Sequence, residues 1–204
     1  MSGRTRGKAD LAVRGRLLES AAGIFARKGY AAATVREIVE AAGVTKPALY
    51  YYFRNKEGIY LELMEEGFRK FDSLLDASRL EPADAPGRIK RLCDELFGLF
   101  LERIQVARVM YAIYYGPPQG APFFDFDAYH LRFRDAVQGL VEDGIRDGEF
   151  RNGDPVDMAW AVIGAVNVAM ESRLCHPEIG LDKDRLARVL DLVFEGIARK
   201  GESA

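Results

Sequence analysis

The chain has 204 residues, of which 49% are apolar, 29% charged and 11% aromatic, with a net charge of −2. That composition supports a packed core and excludes global disorder, and no stretch approaches the ~18 uncharged apolar residues of a membrane span. Cys93, Cys175, His130 and His176 are too few and too scattered for a disulfide framework, a zinc finger or a Cys-x-x-Cys redox motif. With no signal-peptide run at the start, a reducing cytoplasm is the expected compartment.

The predicted elements are all helical. Prolines punctuate the chain: Pro47 stands alone before Pro82, and Pro86, Pro117, Pro118, Pro122, Pro155 and Pro177 follow, with helical spacing between them. Leu17, Leu18, Ala21, Ile24 and Phe25 share one face and predict a first helix over about residues 12–28. Arg27 and Lys28 fall in its last turn and Gly29 stops it. Thr34-Val35-Arg36-Glu37 has capping-box spacing and opens a second helix, with Ile38, Ala41 and Ala42 on its inner face and Gly43 at its end. Thr45 is expected to cap a short third helix, Lys46–Phe53, and Asn55 a fourth from Lys56 to Ala77. Further helices are expected over about 86–103, 105–115, 123–147, 155–175 and 182–200, with Asp154 and Asp182 as start signals.

Charge divides the chain as the helices do. Residues 1–60 carry 11 Lys/Arg against 5 Asp/Glu, a net of +6; the rest carries 18 against 26, a net of −8. A basic head on an acidic body reads either as a polyanion-binding site or as a solvated basic face. The tight Gly43-Val44 turn between two short helices has helix-turn-helix form, which sets the second helix into a DNA major groove. On that helix Leu49 and Phe53 face inward. Lys46, Pro47, Ala48, Tyr50 and Tyr51 lie outward or flank, offering an ammonium for guanine and apolar atoms for a thymine methyl.

The stretch from Arg14 to Leu63 resembles the tetracycline-repressor-like (TetR/AcrR) family of bacterial regulators. The residues that carry the likeness run from Ala21-Ala22-Gly23-Ile24-Phe25-Ala26-Arg27-Lys28-Gly29-Tyr30 through Thr34-Val35-Arg36-Glu37-Ile38-Val39-Glu40-Ala41-Ala42-Gly43-Val44-Thr45-Lys46. They continue as Ala48-Leu49-Tyr50-Tyr51-Tyr52-Phe53 and close with Asn55-Lys56-Glu57. Pro47 stands where the family often has Gly, and Tyr51 where it often has His, departures that bear on operator sequence. The resemblance implies that Lys46, Pro47, Ala48 and Tyr51 face bases and that Thr34, Tyr50, Tyr52 and Lys56 touch phosphates. Tyr50 and Tyr52 also read as core residues, and Thr34 as a cap alone. The basic arm, Arg4 to Lys8, is expected to be disordered and either to enter a minor groove or to do nothing.

The fold class expected is therefore all-α: a helix-turn-helix DNA-binding domain over 1–56 with its arm, and a larger helical effector-binding and dimerisation domain over 57–204, as the resemblance implies. Residues 110–133 hold an aromatic concentration around the Pro/Gly-rich segment Gly116–Pro122. This reads as plain core or as an apolar effector pocket lined by Tyr111, Tyr114, Phe123, Phe126 and Phe133, with His130, Arg134 and Asn167 as polar partners. Small residues in the helix at 155–175 and the broad apolar stripe of the last helix suggest a homodimer, against the alternative of intrachain packing. The function expected is a homodimeric repressor released from a palindromic double-stranded operator by an apolar or aromatic small molecule. The alternatives are a DNA-binding protein without an effector, or a helical enzyme. The enzyme reading finds no phosphate loop, metal pair or nucleophile with a base, so no catalytic residue, cofactor, metal or membrane partner is expected.

Overall fold

Nothing between Ser2 and Lys28 is a proline, so the first helix has no reason to start late, and each added residue closes another backbone bond. The computed structural model describes residues 2–80, 82–178 and 180–197, with side chains from residue 10 onward. In it α1 spans Ser2–Ala32, so the arm expected to be disordered is helical in its backbone. The helix breaks at Gly29 (φ 78°, ψ 163°), the predicted stop. Thr34 and Glu37 form the capping box that opens α2, Val35–Ala42. Gly43 closes it in the left-handed region, φ 63°. Ala41 is exposed and Val39 is buried in its place beside Ile38 and Ala42. Helix α3, Lys46–Phe53, has Thr45 at its N-cap position, but the Thr45 hydroxyl makes no capping bond; Pro47 sits in the first turn, where no amide hydrogen is needed.

Helix α4 runs Lys56–Leu80, its start held by the Gly58 amide donating to Asn55 Oδ1 at 2.8 Å. Then come α5 (Ala85–Glu102), α6 (Ile104–Tyr114), α7 (Asp127–Arg146), α8 (Pro155–Cys175) and α9 (Lys183–Ile197). Helix α7 begins later than predicted, with Phe126 at its N-cap position and the Asp125 carboxylate just before it accepting the Ala128 amide at 3.1 Å. Asp154 and Asp182 cap α8 and α9 as expected, accepting from Val156 and Arg185 at 2.8 and 2.7 Å. Residues 198–200, assigned to the last helix by periodicity, lie outside the described residues. No strand occurs among the described residues.

The helices form two compact units. One comprises the chain through Phe68 together with Arg103–Phe124; the other comprises Arg69–Glu102 and the chain from Asp125. The first unit is built on Leu17, Phe25, Ile38, Leu49, Ile59 and Tyr60, all essentially inaccessible. Helix α6 belongs to it, packing on α1 and burying Ala107 and Val109. Arg14 pairs with Glu62, and Arg103 with Glu66 at 2.6 Å. In the second unit α5, α7, α8 and α9 close around Ile89, Phe97, Val137, Val162, Val166 and Leu190.

Candidate nucleic-acid interface

Helix α3 is anchored by two side chains. Leu49 and Phe53, one helical turn apart, are buried, and the opposite surface is thereby forced outward. Lys46 and Pro47 are exposed, Ala48 is half-buried, and Tyr50 and Tyr51 are 49% and 77% accessible. Tyr51 leans edge-on against Tyr52, with ring centroids 4.9 Å apart, which orders the outer ring without burying it. The face presents an ammonium, a pyrrolidine, a methyl and two phenols. It is a surface with hydrogen-bond donors and flat apolar area and little else, suited to base edges and phosphates.

The three other residues expected at phosphates are committed elsewhere. Thr34 Oγ1 donates to Glu37 Oε2 at 2.8 Å and accepts the Glu37 amide at 3.3 Å. The Lys28 ammonium, 2.5 Å from Glu37 Oε1, and then Thr34 hold that carboxylate down at about 2. The Tyr52 hydroxyl donates to Asp10 Oδ1 of α1 at 2.9 Å. Lys56 Nζ donates to the carbonyls of Tyr30 at 2.9 Å, Ala33 at 3.0 Å and Ala31 at 3.4 Å, and lies 4.3 Å from the centroid of the Tyr30 ring. Burial pushes its ammonium below the ordinary lysine value. Lys56 is the cation at the C-terminal end of α1, supplying donors to carbonyls that have no partner in the helix ladder. Its place just after Asn55 gives no hint of this, because the carbonyls it serves lie more than twenty residues upstream.

The first unit carries the family signature. Residues 17–63 match the model for bacterial regulatory proteins of the tetR family. The transcriptional repressor KstR2 of Mycobacterium tuberculosis is 30% identical over 154 residues, covering 74% of this chain and 75% of its own. The chain belongs to the tetR family of bacterial regulators. The crystal structure of the tetR-family regulator PfmR from Thermus thermophilus superposes with a TM-score of 0.71 at 26% identity, over 90% of this chain and all of that one. A SmeT–triclosan complex shares the fold with a TM-score of 0.71 at 21% identity, covering 93% of each chain.

The side chains expected to line an effector pocket in this tetR-family chain are divided between the units. Tyr111, Tyr114 and Phe123 belong to the first. Tyr111 is half-buried, Tyr114 is partly exposed against Tyr115 with ring centroids 4.7 Å apart, and Phe123 is 87% exposed. Phe126, His130, Phe133, Arg134 and Asn167 belong to the second. Phe126 and Phe133 are buried there. The Phe71 ring of α4 lies 5.1 Å from that of Tyr129 and 6.4 Å from that of Phe133. Burial, then the nearby Asp72 carboxylate, pushes the Tyr129 phenol far up. Arg132 spans both Asp72 oxygens at 2.6 Å. Arg134 Nη2 is turned to its neighbour Asp135 at 2.7 Å, and His130 Nδ1 lies 3.1 Å from the Phe126 carbonyl. Asn167 is half-buried on α8. Phe71 was missed because it precedes the aromatic-rich segment by some forty residues.

The outer surface of α8 carries Val156, Trp160, Gly164 and Val168, exposed and spaced by one turn; Leu192 of α9 is 67% exposed. By contrast Leu186, Leu190, Phe194 and Ile197, most of the stripe that suggested a dimer face on α9, are intrachain core. Trp160 escaped notice as a single aromatic among small residues. No helix is long and apolar enough to cross a membrane, and no group of three His, Cys, Asp or Glu is placed to hold a metal, among the described residues.

Proposed function

We propose that the chain is a homodimeric transcriptional repressor that binds a palindromic double-stranded operator through the outer face of α3. In this reading residues 1–56 make the DNA contacts and residues 57–204 bind an effector and dimerise. The observation that carries it is the forced outward display of Lys46, Pro47, Ala48, Tyr50 and Tyr51 over the buried Leu49 and Phe53. Lys46 and Tyr51 are assigned to bases and Tyr50 to phosphate. Thr34, Tyr52 and Lys56 hold α2 and α3 from behind, their donors already spent within the chain. The relative KstR2 is a transcriptional repressor by name, which supports the sign of regulation.

The effector is a small apolar or aromatic molecule. SmeT, which shares the fold, is known in a complex with triclosan, and Phe71, Tyr129 and Phe133 supply flat apolar area in the second unit. Such a ligand releases DNA only by binding the DNA-incompetent conformation more tightly. The dimer forms through the exposed ridge Val156, Trp160, Gly164 and Val168 with Leu192. The cytoplasm is where it acts.

Selection of duplexes from a random-sequence pool by the purified protein is the test. The expected winners are palindromes with half-sites at least about one helical turn, ~34–36 Å, apart, bound with affinity that falls steeply with salt. Trp160→Glu is expected to yield monomers in sedimentation and to abolish this binding. A stable wild-type monomer at micromolar concentration, or a pool with no enrichment, sinks the reading.

A further inference from the structure

The segment after α6 reaches back to the break in α1 with one side chain. Gln119 Oε1 accepts the Tyr30 amide at 3.0 Å, 89 residues away in sequence, and Gln119 Nε2 donates to the Ala112 carbonyl in α6 at 3.2 Å. A side-chain amide thus joins the end of α1 to the last turns of α6, both within the first unit. The glycine beside it makes room: a Cβ on Gly29 would lie 2.6 Å from Gln119 Oε1.

The segment that carries Gln119 is stereochemically constrained. Pro117 and Pro118 precede it with fixed φ, and Gly120 follows in the left-handed region at φ 63°. On the other side of the contact, Tyr30 is held at its ring, its carbonyl and its amide. Its ring packs on Phe25 and Tyr60 with centroids 5.4 and 5.2 Å away, its carbonyl accepts from Lys56, and its amide is the one Gln119 takes. Between Tyr30 and the Thr34 cap of α2 stand only Ala31, Ala32 and Ala33, so the orientation of the Tyr30 peptide sets the direction in which α2, and α3 behind its tight turn, leave α1.

We propose that Gln119 is a positioning residue for DNA recognition: by holding the Tyr30 amide against the end of α6, it fixes the angle at which the recognition helix leaves α1. Gln119 touches no DNA in this account, and the inference rests on the reading of α3 as the DNA-contacting helix. A half-buried glutamine in a loop has little apolar area to contribute, so its two directed bonds, not packing, are its function.

The test uses the full chain, with a duplex selected by the wild type as the probe. Gln119→Met keeps the volume and removes donor and acceptor; Gln119→Glu keeps an acceptor for the Tyr30 amide. With Met, hydrogen exchange at the Tyr30 amide is expected to accelerate and duplex affinity to fall by about three- to tenfold, the worth of one or two hydrogen bonds, measured where both variants are fully folded, since the thermal midpoint falls with the same lost bonds. With Glu, Tyr30 stays protected and affinity lies nearer the wild type than that of Met. A Met variant that binds within about twofold of wild type, or that leaves Tyr30 exchange unchanged, overturns the proposal. If the wild type selects no duplex at all, the DNA reading itself fails and takes the proposal with it; the Tyr30 exchange rate still reports whether the bond exists.

Discussion

The outer face of α3 and the contacts made with α1 behind it use the same kinds of side chain to opposite ends. On α3, Lys46, Tyr50 and Tyr51 stand exposed with an ammonium and two phenols directed outward. Behind that face, Lys56 and Thr34 at the end of α1 and Tyr52 against Asp10 nearer its start carry an ammonium, a hydroxyl and a phenol, and each donates to a carbonyl or carboxylate of the chain itself. Residue type does not separate the two groups, and neither does distance along the chain, since Tyr51 and Tyr52 are neighbours. What separates them is whether an acceptor is already within ~3 Å. The first group stands exposed with its donors unspent, and the second is the frame on which that exposed group is mounted.

Mutations should divide along that line. The largest effect is expected for Gly29→Val. The conformation at φ 78°, ψ 163° is open essentially to glycine alone, and a side chain would also strike Gln119. A loss of about 3 kcal/mol or more, or failure to accumulate as folded protein, is the expected result in chemical denaturation. Next come two lysines compared with each other. Lys56→Met removes donors from three carbonyls and should cost about 1–3 kcal/mol in unfolding free energy. Lys46→Ala should leave stability unchanged and weaken DNA binding by about 1–3 kcal/mol with relaxed sequence preference. Equal thermal midpoints for the two variants would erase the distinction between face and frame.

Smaller effects sharpen it. Tyr52→Phe is expected to lower stability by about 0.5–1.5 kcal/mol through the lost bond to Asp10, whereas Tyr51→Phe should alter only DNA affinity. The finest probe is acid. Glu37 is held at about 2 against an ordinary 4.5, so its stabilising contribution is complete above about 4.5 and is lost as pH falls through about 2. Thermal midpoints of the wild type should therefore decline across that window, and Glu37→Gln should flatten the decline. An identical acid limb in both proteins would show that the Lys28–Glu37–Thr34 cluster does not couple to folding.

Much of this was legible beforehand, for identifiable reasons. The capping box at Thr34–Glu37, the left-handed Gly43 and the inward pair Leu49 and Phe53 are local features, each decided within a few residues. The all-helical class followed from spacing between prolines. Partners far apart in sequence were not legible. Lys56 reads as a surface cation until the carbonyls of Tyr30, Ala31 and Ala33 are brought to it. Gln119 reads as one residue of a loop until α6 lies along α1. The late start of α7 goes with the Ala128 amide donating to the Asp125 carboxylate ahead of the helix, a local bond that periodicity cannot see. The stripe on α9 was correctly read as apolar, but apolar residues do not say whether they face their own chain or another; Leu192, outside that stripe, is the exposed one.

That α6 belongs with α1 has a consequence for anyone who would transplant the reading head. A graft of residues 1–56 onto another body would leave behind the helix whose Ala107 and Val109 are buried in the same unit, and the glutamine that takes the Tyr30 amide. The recipient would inherit the proposed recognition surface without the Gln119 bonds between the ends of α1 and α6. The transferable piece is discontinuous, the chain through Phe68 plus Arg103–Phe124, so a working chimera must splice in two places. By the same logic, substitutions at the end of α6 and at the end of α1 are expected to compensate one another across a gap of some eighty to ninety residues, and to drift as a pair.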